Sequence, residues 1–215
     1  MKPTISLCIT CYDGDYHLLV GLLTEFSKQV VLPDEIIISS SGMKEEDLLP
    51  LEVYYVDGEE VPVIHQNSEE RTIQSVARNA GARASTKDVI IFFDVDDIPH
   101  PQKIEVTKDL FFHGTEIQAF IHSYKDGEDK TFDDINEVKY CRVIAKHPEN
   151  TNIITEAGVA GIHHSHIAIR REVFDKVQFN ESPEFYRLED GKFCQDIVDT
   201  RLPFVFSKLK LVYYN

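Results

Sequence analysis

Apolar positions follow two rhythms along the chain, short continuous runs and spaced faces. Ile5 to Thr10 is an apolar run and is expected to form the first strand. Asp13-Gly14-Asp15 then supplies a turn with helix-capping residues. Leu19, Leu22, Leu23, Phe26 and Val30 recur at helical spacing, and Pro33-Asp34 ends that helix. Glu35 to Ser39 reads as a second strand, running into the small polar loop Ser40-Ser41-Gly42. Val53–Val56 and Val61–His65 are further strand candidates. A helix is expected from Ser68, with Ile73, Val76, Ala77, Ala80 and Ala84 on its apolar face. Val89-Ile90-Ile91-Phe92-Phe93 has the unbroken apolar character of a strand buried on both faces. A helix from about Pro101 to Phe112 follows, with Ile104 and Phe111 facing inward.

The first half therefore reads β-α-β…β-α-β-α, which predicts a Rossmann-like, mostly parallel sheet flanked by helices. The second half is less regular. Ile117–Tyr124 is expected as a strand and Lys125–Val138 as an exposed polar loop able to fold over a bound ligand. Val143–Glu156 shows no clear period, and Gly158–Ile169 ends like a strand. Arg170–Asp175 and Leu188–Thr200 read as helices, and Phe204–Tyr213 as one or two closing strands. With 215 residues and no linker or repeat, one domain is expected, 1–115 forming one half and 116–215 the other.

Charge narrows the partners. A formal net charge of −15 argues against a protein that coats nucleic acid or a polybasic membrane surface. No apolar run approaches the ~20 residues of a membrane span, and no secretory leader is evident, so the expected setting is cytoplasmic. The four cysteines, Cys8, Cys11, Cys141 and Cys194, are too sparse for a disulfide framework and read as reduced thiols. Without Trp, any stacking surface must use Tyr, Phe or His.

The chemistry concentrates where the fifth apolar run meets Asp94-Val95-Asp96-Asp97. Charge is not tolerated inside a doubly covered strand, so these acids belong at its C-terminal end, where open α/β sheets bind ligands. Crowded hard oxygen ligands favour Mg²⁺ or Mn²⁺, and such a cation would hold a phosphate or diphosphate. The plainer reading is an acidic turn before the helix announced by Pro99 and Pro101.

Five ordered segments resemble the family 2 glycosyltransferases of the GT-A fold. They are Ile9-Thr10-Cys11-Tyr12-Asp13, Asp34 to Gly42, Ala77-Arg78-Asn79-Ala80-Gly81 followed by Asp88 to Asp97, His164 to Phe174, and Phe179 with Glu189-Asp190. The resemblance implies a nucleotide-sugar donor, a Mn²⁺ or Mg²⁺ cofactor and a carbohydrate or glycoconjugate acceptor. It makes Asp96 the more direct metal ligand and Asp94 a metal and ribose ligand, with Val95 between them. Thr10, Tyr12 and Asp13 would contact the base or ribose from the first loop. Arg78, with Asn79 beside it, would neutralise the diphosphate or bond to the nucleotide; the plainer reading of Arg78 is a solvated helix position. Asp190 is implied as general base with Glu189 as its neighbour, against the plainer reading of an acidic first helical turn. Asp97 is expected to cap the following helix, against contact with the sugar or with the metal through water. His164 is assigned to sugar or acceptor contact, with His163 and His166 as weaker candidates for the same pocket or a metal. Ser40 stands where many uridine-using relatives carry Asp; a UDP-sugar remains the favoured donor. Two other readings compete: a haloacid-dehalogenase-type phosphohydrolase using Asp94, and a non-catalytic nucleotide-sugar-binding module.

Overall fold

The structure, a computed structural model, describes residues 1–48, 53–135 and 164–215. Its strands are β1 (Ile5–Tyr12), β2 (Glu35–Ser41), β3 (Val53–Val56), β4 (Glu59–Ser68), β5 (Val89–Asp94), β6 (Ile98–Pro99), β7 (Ala119–Lys125), β8 (Ile167–Arg170) and β9 (Phe204–Tyr213). The helices are α1 (Tyr16–Phe26), α2 (Gln74–Ala84), α3 (Lys103–His113), α4 (Arg171–Phe174) and α5 (Glu189–Asp199). The described strands form one mixed sheet in the order β3-β4-β2-β1-β5-β8-β7-β9-β6.

The uninterrupted apolar runs occupy the middle of the sheet, as their lack of a polar face requires. β1 pairs in parallel with β2 and β5, and β2 with β4, which is the expected Rossmann-like half. Beyond β5 the pairing turns antiparallel through β8 to β7, and β9 then runs parallel to β7. Strand alternation divides the core between the two faces. Leu7, Ile9, Ile91 and Phe93 pack with Leu19, Leu23 and Phe26 of α1 and Ile104 of α3. Cys8, Ile37, Ile90 and Phe92 pack with Ala82 of α2, Phe174 of α4, and Phe193 and Ile197 of α5. Phe93 meets Phe26 edge-on at 5.1 Å, while its neighbour Phe92 meets Phe179 at 5.0 Å on the opposite face.

Several expected boundaries move. α1 ends at Phe26, leaving Val30 exposed rather than on its apolar face. β4 runs on to Ser68, paired with β2 as far as Ser41, so α2 begins at Gln74 and not at Ser68. Its buried positions are Ser75, Ala77, Arg78, Asn79, Gly81 and Ala82, whereas Ile73, Val76, Ala80 and Ala84 are only partly covered. Arg78 and Asn79 on that face find hydrogen-bond partners, and Gly81 allows the close approach: a Cβ there would stand 3.1 Å from Ser39 Cβ. β6 inserts between the acidic turn and α3, so Asp97 lies well before the helix it was expected to cap. His164–His166 is a 3₁₀ turn rather than part of a strand.

The polar stretch expected to be exposed from Lys125 is largely exposed as far as it is described, with a few contacts that hold it to the body of the fold. Tyr214 N–H donates to the Lys125 carbonyl at 2.8 Å, and Gln102 and Ile135 exchange bonds at 2.8 and 3.2 Å. Phe132 packs on the His100 ring at 4.8 Å. Residues 136–138 of that stretch, the segments Val143–Glu156 and 158–163, Cys141 and His163 lie outside the described residues.

Candidate active site

The chain leaves β1 toward β2 on one side and reaches β5 on the other, so a crevice opens at the C-terminal ends of β1 and β5. Thr10 and Asp94 are register partners at that edge. A cavity of about 440 Å³ sits there, lined by Thr10, Tyr12, Asp94, Val95 and Asp96. Asp15, Arg71, Thr72, Ile73, Gln74 and Tyr186 complete it. A larger cleft of about 740 Å³ lies at the far end, around Lys2, Asp88 and Arg170. The smaller cavity is the better candidate, because it holds the carboxylates at the sheet edge where ligands bind this architecture.

Two hydroxyls lining the cavity, Tyr12 Oη and Thr72 Oγ1, are buried with no hydrogen-bond partner among the described residues. Such groups are costly unless a ligand or water completes them. Burial, more than the surrounding charges, pushes the Tyr12 hydroxyl's pKa up, so it is a donor rather than a phenolate. Arg71 lies over the Tyr12 ring at 5.2 Å and 3.8 Å from Asp13, with its side chain 70% exposed. Arg71 and Thr72 were not legible as site residues. Ser68-Glu69-Glu70 imitates a helix start, whereas the segment after the long β4 is a connection that turns back over the crevice.

Behind the cavity is a buried charge cluster. Arg78, only 3% exposed, donates through Nη1 to Glu189 Oε1 at 2.7 Å and Asp190 Oδ1 at 2.8 Å. Its Nη2 stands 3.6 Å from Asp94 Oδ1. Burial works against the guanidinium's charge, but Asp94, Asp190 and Glu189 outweigh it and raise its pKa. The solvated position is thereby excluded for Arg78. Glu189 and Asp190 open α5, and this one cation joins them to the end of β5.

Other candidates are placed elsewhere. Asn79 bonds to the backbone of Phe179 at 2.8 and 3.0 Å and to Glu181, pinning the segment before α5 rather than facing the cavity. Ser40 Oγ is given to Asn67 Oδ1 at 2.9 Å, and Asn67 in turn donates to the Met43 carbonyl. Asp13 accepts the Gly14 N–H. His166 is fully buried, its ring stacked on Tyr124 at 5.0 Å, which removes it from the pocket. His164 opens the neighbouring turn; its side chain is outside the described residues.

The donor set tests the metal. Among the described residues no group of three or more His, Cys, Asp or Glu side chains is poised as a metal cage. Asp94, 31% exposed at its side chain, and the exposed Asp96 line the same cavity. Two hard carboxylates on an open cavity suit Mg²⁺ or Mn²⁺, which take one or two carboxylates and fill their shell with water and substrate phosphate. Asp97 is 2% exposed and accepts the Asn215 N–H at 3.4 Å, so it is turned away.

Comparison with known proteins agrees with the architecture. The chain matches glycosyl transferase family 2 over residues 6–178, and it belongs to that family. The match ends before Glu189-Asp190. It is 32% identical over 137 residues to the uncharacterized glycosyltransferase YwdF of Bacillus subtilis (strain 168), covering 63% of this chain and 46% of that protein. Among solved structures, S. aureus TarS 1-349 superposes with a TM-score of 0.70 at 15% identity, covering 99% of this chain and 60% of TarS 1-349. The same protein in complex with UDP-GlcNAc gives 0.70 at 14%, over 98% and 58%. The mannosyltransferase PcManGT from Pyrobaculum calidifontis, in complex with GDP-Man and Mn²⁺, gives 0.65 at 13%, over 100% and 57%. The fold is that of GT-A glycosyltransferases. The chain thus spans about half the length of its curated relative. The family displaces the phosphohydrolase reading of Asp94. No described helix is long and apolar enough to cross a membrane.

Proposed function

We propose that the chain catalyses metal-dependent, inverting transfer of a sugar from a nucleotide-sugar, a UDP-sugar by preference, to a hydroxyl of a glycan or glycoconjugate. The observation that carries this reading is the Arg78 bridge. It joins Asp94, at the edge of the candidate donor cavity, to Glu189 and Asp190, the candidate base pair, across the two halves of the chain. Family membership and neighbours solved with UDP-GlcNAc and with GDP-Man and Mn²⁺ support it. We take residues 1–115 as the donor half and 116–215 as the acceptor half of one catalytic domain. Buried free thiols at Cys8, Cys11 and Cys194 support a reducing, cytoplasmic setting.

Asp94 and Asp96 would hold a Mn²⁺ or Mg²⁺ ion, which when bound neutralises charge on the departing diphosphate. Thr10, Tyr12 and Thr72 line the donor's path with hydroxyls, and Arg71 stacked on Tyr12 adds a cation at its rim. Asp190, oriented by Arg78, takes the acceptor hydroxyl's proton as its oxygen bonds the anomeric carbon. The C–O bond to the diphosphate breaks, and its electron pair leaves with the diphosphate. One in-line displacement inverts the centre.

The test is a thermal-shift panel of UDP-, GDP- and dTDP-sugars with Mn²⁺, Mg²⁺ or EDTA, on the wild type and Asp96→Ala. Binding to the native state alone stabilises it by about 2.7 kcal/mol at a hundredfold excess over Kd. Metal-dependent stabilisation by one nucleotide class, lost in Asp96→Ala, is expected. No response to any donor overturns the reading. Donor binding without transfer or hydrolysis across a broad acceptor panel would instead favour a binding module.

A further inference from the structure

Beneath the acidic turn lies a buried polar cluster that the transfer itself does not use. Lys103, the first residue of α3, is 1% exposed. Its ammonium donates to the Ser165 carbonyl at 2.9 Å, meets His122 Nε2 at 2.5 Å and lies 5.5 Å from the centre of the Phe93 ring. His122 is equally buried, and its Nδ1 stands 2.7 Å from the Ser123 carbonyl. Nδ1 therefore carries the ring proton, and Nε2 is the acceptor that Lys103 requires. Ser165 is fully buried too, and its Oγ accepts the backbone N–H of Asp94 at 2.9 Å.

A short relay results. The α3 ammonium holds the 164–166 turn by its carbonyl, and that turn holds the end of β5 by a serine hydroxyl. Burial pulls the Lys103 amine down to about 7, with Asp97 opposing the shift. Burial of a lysine is expensive, and an apolar side chain of similar length would pack at this place without the penalty. Strongly shifted groups beside a crevice point to function.

We propose that Lys103 is a positioning residue which, through Ser165, fixes the Asp94–Asp97 turn so that the metal-facing carboxylates are set before the donor arrives. The inference rests on the proposed role of Asp94 and Asp96. Its physical basis is preorganisation: carboxylates held in place do not lose freedom when a cation and a diphosphate bind.

The test compares the wild type with Lys103→Met and Ser165→Ala by hydrogen exchange and by titration with Mn²⁺ in the presence of UDP. Both variants are expected to speed exchange of amides 94–97 by about tenfold, the scale of one lost buried hydrogen bond, while β1 amides are unchanged. Both should also weaken Mn²⁺ binding several-fold. Unchanged exchange at 94–97, unchanged Mn²⁺ affinity, or equal acceleration in β1 overturns the proposal, the last because it reports only a weakened fold. If Lys103→Met does not fold, Ser165→Ala decides, since it breaks the same relay and keeps the charge. A wild type that binds neither Mn²⁺ nor UDP defeats the transfer reading, and the exchange data still decide whether Lys103 holds the turn.

Discussion

Arg78 and Asp190, 112 positions apart in the chain, meet at 2.8 Å inside the fold. Glu189 shares the same Nη1 at 2.7 Å, and Asp94 stands 3.6 Å from Nη2. One buried guanidinium thus serves three carboxylates drawn from two elements. The cluster keeps a negative surplus at the edge of the candidate cavity, which suits a divalent cation.

Removing Arg78 leaves Glu189 and Asp190 facing each other without their cation. Arg78→Met is expected to destabilise the fold by about 3–5 kcal/mol, the usual result of breaking a buried ion pair from one side. Urea denaturation measures it. A double variant, Arg78→Met with Glu189→Gln, should recover part of the loss because one orphaned charge is gone.

The two unpartnered hydroxyls separate ligand binding from stability. Tyr12→Phe and Thr72→Val remove buried groups that have no hydrogen-bond partner among the described residues, so the free protein should lose no stability. If these groups contact the donor, each variant should weaken its binding by about tenfold, the scale of one hydrogen bond. Calorimetry with the donor selected by the thermal-shift panel, beside melting curves of the free proteins, checks both halves.

Asp96 and Asp97 are adjacent but face opposite ways, one exposed at the cavity and one 2% exposed. Asp96→Asn should abolish the Mn²⁺-dependent thermal shift. Asp97→Asn should lower the melting point, because it removes the carboxylate that favours the charged form of Lys103, and should retain the Mn²⁺-dependent shift. Melting curves with Mn²⁺ or EDTA distinguish the two.

Lys103 imposes a pH dependence whose sign is fixed. Its amine titrates near 7 in the folded chain and at 10.5 when unfolded. Between those values the unfolded chain binds the extra proton, so stability rises with pH across the window, at about 1.4 kcal/mol per unit at most. The titratable groups around it are Asp97 on the acidic turn, His122 on β7 and His100 before α3, and His166 on the 3₁₀ turn stands against His122. Urea midpoints from pH 7 to 10 should rise more steeply for the wild type than for Lys103→Met; parallel slopes would refute the assignment.

Local pattern was enough to read the middle of this protein. Continuous apolar runs can only be satisfied with a helix layer on each face, so β1, β2 and β5, their parallel direction and the carboxylates at the end of β5 were all legible from residues alone. Helical spacing made the face of α1 legible from Leu19 to Phe26, though not at Val30, and charge made the acidic opening of α5 legible. Periodicity reports which side of an element is apolar; it does not report which polar group on another element will arrive beside it. Only the tertiary structure decided that Arg78 is buried among acids, that Lys103 and His122 share a proton-bonding pair under the acidic turn, and that His166 lies in the core. It alone extended β4 and brought Arg71 and Thr72 to the cavity, because strand ends and polar connections are set by the neighbour they pair with rather than by their own composition.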